Sequence, residues 1–456
     1  MSRRDPGPAV RPGVDPARRA AYDVLRAVAT QDAYANLLLP GLLRERGLGG
    51  RDAAFATELA YGTLRWQGSL DAVLGVGSSR PLAGLEPAVL ALLRLGAYQL
   101  LHLRTPAHAA VATTVDLAPD RARGYVNAVL RRASERSWQQ WLQRLAPPEE
   151  VGRLALTYAH PEWVVRSFAD ALGSLHEAEQ ALAADNERPV VHLVARPGRI
   201  SREDLLAAAG PDALPGPWSP YAVRLAGGDP AQLAAVRDGR AAAQDEGSQL
   251  VALAAAAAAG SLPGRAGGRW LDVAAGPGGK AALLAGLGER NGVRLVANEV
   301  APHRATLVAR ALRGSTALTV CADGRVPPWR AGSFDLVLVD VPCTGLGALR
   351  RRPEARWRRQ PADVPRLATL QRELLSHAVD AALAGSPVLY ATCSPHLAET
   401  VDVVRAVLSA RSDVGQEDAK PLFPGLPMLG DDLDVQLWPH RHGTDAMYVA
   451  LLRKVN

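Results

Sequence analysis

The chain has 456 residues, 48% of them hydrophobic and 21% charged, which is enough for two or three domains with their own cores. Only three cysteines are present, which excludes a disulfide framework, and the longest apolar run, residues 250–260, is far short of the ~20 residues of a membrane span. The net charge of +6 admits a polyanionic partner without establishing one.

Taken in chain order, residues 1–16 are rich in Pro, Gly and Arg and lack the apolar core of a signal peptide, so a disordered N-terminus on a soluble, cytoplasmic protein is expected. From 17 to 145 the apolar spacing is helical, as in AAYDVLRAV, AVLALLRLGAYQLLHL and GYVNAVLRRAS, which predicts an all-α domain. From 146 to 238, extended PVVHLVARP and YAVRLA alternate with helical SREDLLAAAG, which predicts a small α/β domain of βα units. From 239 to 456 the short runs RWLDVAAG, VRLVANE, ALTVCADG, FDLVLVDVPC and SPVLYATCS are separated by crossover-length segments. That pattern predicts a parallel, Rossmann-like α/β domain whose ligands lie beyond the carboxyl ends of the strands.

Those strand ends carry the candidate chemistry. The first is followed by DVAAGPGGK, residues 272–280, where Ala274, Ala275, Gly276, Pro277, Gly278 and Gly279 allow close backbone approach to a ligand at a helix N-terminus. Neither phosphate-loop pattern is satisfied there. Lys280 closes the loop in a chain with three lysines among 52 basic residues. Glu299 ends the second strand, where a carboxylate can take both hydroxyls of a ribose, and Asp323 ends the third, in reach of an adenine edge. Glycine loop, ribose carboxylate and third-strand Asp together suit S-adenosylmethionine, an adenosine without phosphate. The fourth and fifth strand ends hold Asp340 with Cys343, in DVPC, and Cys393, in YATCSP. Packing is the plain alternative for either thiol. A zinc site or a redox pair is disfavoured by the lack of CxxC spacing, so no metal is expected.

The loops DVAAGPGGK, DVPCTGLG and YATCSP, in that order, resemble those of the Fmu/Sun-type RNA cytosine-5 methyltransferases. ELAYGTLRW, LRLGAYQLLHLRTPAHAAV and GYVNAVLRR are similar to the NusB-like RNA-binding domain of the bacterial small-subunit ribosomal RNA enzymes of this type. Ala274 and Gly276 stand where many relatives have Cys and Ala, and TDAMYV replaces a frequent Asp-Gly-Phe-Phe stretch. The resemblance implies a NusB-like domain, an RRM-like middle domain and a class I methyltransferase domain. It further implies that Cys393 is the nucleophile, Cys343 assists proton removal and release, Asp340 holds the base and contributes to the cofactor site, and Lys280 steadies the site. The implied partner is ribosomal RNA or the assembling small subunit, without membrane or metal.

Arg350, Arg351, Arg352, Arg356, Trp357, Arg358 and Arg359, in LRRRPEARWRR, read as a phosphate-contacting and stacking surface. Arg121, Arg123, Arg131 and Arg132 extend that footprint. Three other readings stay open: a DNA cytosine-5 methyltransferase, in which a Pro-Cys thiol such as Cys343 is the nucleophile; an enzyme for another RNA or tRNA; and a non-catalytic RNA-binding assembly factor.

Overall fold

A computed structural model describes residues 14–260 and 267–455; most of the expected disordered N-terminus lies outside them. The chain divides into two compact units, residues up to 166 together with 351–358, and residues 167–350 together with 359–456.

The first unit is helical. Its opening helix, Pro16–Thr30, starts with Pro at the first position and Asp15 as cap, the carboxylate accepting from the Arg18 amide at 2.7 Å. The helix Pro87–Leu101 runs through the middle of the core, with nine of its residues buried, so its sequence is apolar all round rather than on one stripe. Gly62 is compulsory where the helix Gly50–Arg65 meets it: a Cβ there would stand 2.0 Å from the Tyr98 ring. Helices continue through Glu150–Tyr158 and Glu162–Leu172, so the expected mixed region opens as helix rather than strand.

The second unit contains two sheets. The smaller is antiparallel, built from β1 (Val191–Ala195), β2 (Leu214–Pro215), β3 (Ala222–Leu225) and β4 (Ala241–Ala243) in the order β2-β3-β1-β4. It is not a separate body. Val194 joins the main core of this unit, and the Trp218 indole donates to the His442 carbonyl at 2.8 Å.

The larger sheet contains β5 (Arg269–Asp272), β6 (Arg294–Asn298), β7 (Leu318–Val320), β8 (Leu336–Asp340), β9 (Pro387–Thr392), β10 (Val414–Glu417), β11 (Val435–Gln436) and β12 (Tyr448–Lys454). Its order is β10-β12-β9-β8-β5-β6-β7, with β11 paired to β12. Strands β5 to β9 are mutually parallel and β12 is antiparallel to β9. In β8 and β9 successive residues serve opposite faces. Leu336, Leu338, Leu389 and Ala391 enter one core, while Val337, Val339, Val388 and Tyr390 enter the other. Burial on both faces explains the unbroken apolar runs of these strands. The chain winds from β5 through β6 to β7, then returns to place β8 on the other side of β5, so a crevice opens between the carboxyl ends of β5 and β8. Among the described residues no helix is long and apolar enough to cross a membrane.

Candidate active site

The site is assembled at the carboxyl ends of β5, β6, β8 and β9. After β5 the chain turns at Ala275, whose amide donates to the Asn298 carbonyl at 2.8 Å and whose carbonyl accepts from Gly278 at 2.7 Å. Pro277 lies within this turn and Gly279 opens the helix Gly279–Glu289. Gly278 is demanded by backbone conformation and space, whereas Gly276 sits against the ends of flexible side chains. Gly278 has φ +107°, with a would-be Cβ 2.7 Å from that of Ala311. At Gly276 a Cβ would stand 2.0 Å from Glu299 Oε2. Glu299 is only 3% exposed, and its Oε1 accepts from the Ala301 amide at 3.0 Å. Arg304 faces the same corner, 3.5 Å from Glu299 Oε2 and donating to the Gly276 carbonyl at 2.7 Å.

Two buried polar residues that the sequence reading did not single out organise this corner. The Asn298 amide donates to the carbonyls of Val273 (2.9 Å) and Ala322 (3.0 Å), holding three strand ends together. Asp272 is completely buried, and neither of its carboxyl oxygens has a hydrogen-bond partner of normal geometry. Burial, reinforced by the Asp340 charge and opposed by Lys280, pushes its pKa up to about 8. Buried glycine cradle, carboxylate at the end of β6 and orphaned polar oxygens at the end of β5 fit a polar, nucleoside-bearing ligand.

Across the crevice, Lys280 Nζ donates to Asp340 Oδ2 at 2.8 Å. Burial pulls the ammonium pKa down, but the Asp340 charge and hydrogen bond outweigh it and leave Lys280 raised, so Lys280 keeps its proton at neutral pH. Cys343 and Cys393 meet with their sulfurs 3.4 Å apart, although fifty residues separate them in sequence. Cys343 is buried and Cys393 partly open. The hydrogen bond to Cys393, and then burial, raise the Cys343 thiol well above its usual range.

Not every expected residue reaches this crevice in a free state. Asp323 is held by its neighbour Arg325, with Nη2 to Oδ2 at 2.7 Å and Nε to Oδ1 at 3.0 Å, and that guanidinium keeps the carboxyl below its ordinary pKa.

The expected RNA-facing row is engaged within the protein at five positions, and two of these, Arg350 and Arg356, are buried. Arg350 is buried and donates to the Gly443 carbonyl at 2.8 Å. Arg359 donates to the Thr344 carbonyl at 3.2 Å. Arg356, Trp357 and Arg358 belong to the helical unit. Arg356 is 0% exposed, its Nη1 donating to the carbonyls of Arg65 (3.0 Å) and Ala159 (3.3 Å). Trp357 lies on Gly68, whose Cβ would stand 2.1 Å from the ring, and Arg358 donates to the carbonyls of Val28 (3.1 Å) and Ala33 (2.5 Å). Trp357 and Arg358 line one wall of a cavity of about 370 Å³ in this unit, together with Leu25, Val28 and Leu64. Arg351 is half-buried and Arg352 exposed. Of the remaining candidates, Arg121 pairs with Glu86 at 2.9 Å, Arg123 pairs with Asp116 at 2.9 Å, Arg131 bonds Asn127 at 3.3 Å and Arg132 donates to the Gly77 carbonyl at 2.9 Å. Among the described residues no cluster of His, Cys, Asp or Glu could hold a metal ion.

Comparison with known proteins gives this geometry a context. Residues 260–453 match the model of the 16S rRNA methyltransferase RsmB/F family, and residues 15–135 match that of the NusB family. A putative methyltransferase of Mycobacterium tuberculosis is 56% identical over the whole of both chains. The probable ribosomal RNA small subunit methyltransferase B of Bacillus subtilis is 30% identical over 96% of this chain and 98% of its own. Among solved structures, PH0851 shares the fold over 96% of this chain and 98% of its own, with a TM-score of 0.81 at 23% identity. The chain, with its helical NusB-type domain and its Rossmann-like domain, belongs to the RsmB/F family of 16S rRNA methyltransferases.

Proposed function

We propose that the protein transfers a methyl group from S-adenosylmethionine to carbon 5 of a cytosine in small-subunit ribosomal RNA, in the cytoplasm, through a covalent bond between Cys393 and carbon 6 of the base. The observation that carries the reading is the pair of sulfurs 3.4 Å apart beside the Lys280–Asp340 pair.

The cofactor is S-adenosylmethionine. Glu299 and the 274–280 loop would hold it, with Asp323 and Asp340 flanking, and when bound it supplies an electrophilic methyl group. Cytosine carbon 5 is too weak a nucleophile to accept that methyl unaided. A Cys393 thiolate added at carbon 6 turns the ring into an enamine whose carbon 5 attacks. Asp340, held by Lys280, would share a proton with N3 of the base as the Cys393 thiolate adds, and that proton takes up the negative charge the addition places on the ring. Cys343 then serves release. Its high proton affinity is owed first to the neighbouring Cys393 sulfur, and that cause disappears once Cys393 has become a thioether. Cys343 can then lose its own proton to solvent and take the one leaving carbon 5, whose electron pair re-forms the double bond and expels Cys393 as thiolate. Carbons 5 and 6 of a paired, stacked cytosine are poorly accessible, so the target lies in a loop or is flipped out.

Bisulfite mapping of ribosomal RNA from cells with and without this protein tests the assignment. One small-subunit cytosine is expected to lose its protection in the deletion strain; an unchanged map contradicts the reading. The cofactor assignment is checked separately by calorimetry. Glu299→Ala and Asp323→Ala are each expected to weaken S-adenosylmethionine binding by about 1–3 kcal/mol, one charged hydrogen bond being lost in each. Unchanged affinity in both variants would remove both carboxylates from the cofactor site.

A further inference from the structure

Two catalytic thiols on separate loops are useful only while the loops keep their register. The ladder between β8 and β9 ends at Asp340 opposite Ala391, with one further bond from the Val341 amide to the Ala391 carbonyl at 2.9 Å. Beyond it, the two loops converge on a buried carboxylate. Glu399 is 0% exposed. Its Oε1 accepts from the Thr344 amide at 2.8 Å and from Gln371 Nε2 at 3.1 Å. Its Oε2 accepts from Ser394 Oγ at 2.6 Å and from the Thr344 hydroxyl. Gln371 Nε2 also donates to the Pro342 carbonyl at 2.9 Å, and the Tyr390 hydroxyl donates to the Glu399 carbonyl at 2.7 Å. The residue after Cys343 and the residue after Cys393 are therefore tied directly to one side chain, and Pro342, before Cys343, is tied to it through Gln371; that side chain touches neither thiol in this network.

We propose that Glu399 is the positioning residue that holds the Cys343 and Cys393 loops in register, setting the sulfur-to-sulfur separation on which the reaction depends. The proposal rests on the function given above for what the thiols are used for, and on the hydrogen bonds alone for how they are held. Removing the carboxylate would leave the Thr344 amide buried without its acceptor and take one acceptor each from Gln371 and the Thr344 and Ser394 hydroxyls, a cost the loops relieve by moving. An amide is different. Glutamine can keep its oxygen toward the Thr344 amide and Gln371, and turn its NH2 toward two hydroxyls that can reverse and accept.

The separation is read directly, without RNA or cofactor, by phenylarsine oxide. Its trivalent arsenic forms As–S bonds to two adjacent thiols, taking their protons and its own oxygen out as one water. The full-length protein is used in a Cys321→Ser background, which removes the exposed third thiol. The background protein and Glu399→Gln are expected to form a one-to-one bridge across Cys343 and Cys393 that a monothiol does not reverse. Glu399→Ala, folded by its thermal transition, is expected to bridge about tenfold more slowly or worse and to lose methyl transfer in kcat rather than KM. Bridging by Glu399→Ala at the background rate would overturn the proposal. Should that variant not fold, the double variant Thr344→Val, Ser394→Ala removes both hydroxyl donors to Oε2 and keeps the carboxylate. The same slowing is expected of it, and an unchanged rate overturns the proposal equally. A failure of the cytosine assignment would look different: normal bridging in the background protein with no methylated cytosine in the RNA.

Discussion

Cys393→Ala is expected to lower methyl transfer by at least about 10⁴-fold and to leave no covalent protein–RNA species, because no thiolate remains to add to carbon 6. Cys343→Ala is expected to fail later. Attack by Cys393 and methylation proceed, but no thiolate takes the carbon 5 proton, so a protein–RNA adduct should accumulate and survive denaturing electrophoresis. The geometry supports this division, since the buried sulfur is the one held protonated and the partly open sulfur is the one a base can reach. If both thiols were only packing, each substitution would cost stability and leave activity largely intact. An adduct in Cys393→Ala but not in Cys343→Ala would reverse the roles and give the arrangement of a DNA-type enzyme.

The second large effect is on folding of the helical unit. Arg356→Ala is expected to destabilise that unit by about 3 kcal/mol, since two charge-assisted hydrogen bonds and a fully buried side chain are lost together. For a unit of this size that is roughly 6–12 °C in its thermal transition. Gly68→Ala gives an independent check through its sign. Glycine inside the helix Gln67–Gly77 should be improved by alanine by up to about 1 kcal/mol, yet a Cβ there collides with the Trp357 ring. A lowered transition in both variants supports the packing of Arg356 and Trp357 against the helical unit; an unchanged one in Arg356→Ala together with a raised one in Gly68→Ala contradicts it.

These basic residues show where sequence reasoning stops. Periodicity located the helical region and strands β5 to β9, because burial on one stripe or on both faces leaves a repeat in the apolar pattern. The strand-end positions of Lys280, Glu299, Asp340, Cys343 and Cys393 followed from the same pattern. An arginine, however, is written identically whether it meets phosphate or a buried carbonyl, so nothing in LRRRPEARWRR marks Arg356 as fully enclosed. Glu399 was missed for the converse reason. One acid in PHLAET looks solvated, and only the tertiary fold shows four donors closing on it. Asp272 lay inside a loop already singled out, but its raised pKa comes from burial and the nearby Asp340, neither of which is local in sequence. The antiparallel β12 was not anticipated because the expected pattern was of parallel strands with crossovers, and the small sheet was expected as a domain of its own because the contacts that Val194 and Trp218 make with the larger core and His442 are long-range.

The central claim, covalent addition of Cys393 to a ribosomal cytosine, is most directly tested with small-subunit RNA carrying 5-fluorocytidine, incubated with the protein and S-adenosylmethionine. Fluorine at carbon 5 cannot leave as a cation, so after methylation there is no proton for Cys343 to take and the adduct cannot collapse. Peptide mapping of the trapped complex by mass spectrometry is expected to find the nucleotide, methylated at carbon 5, on the peptide that contains Cys393. A nucleotide on the Cys343 peptide, or no covalent complex with an RNA that the protein otherwise methylates, would contradict the account.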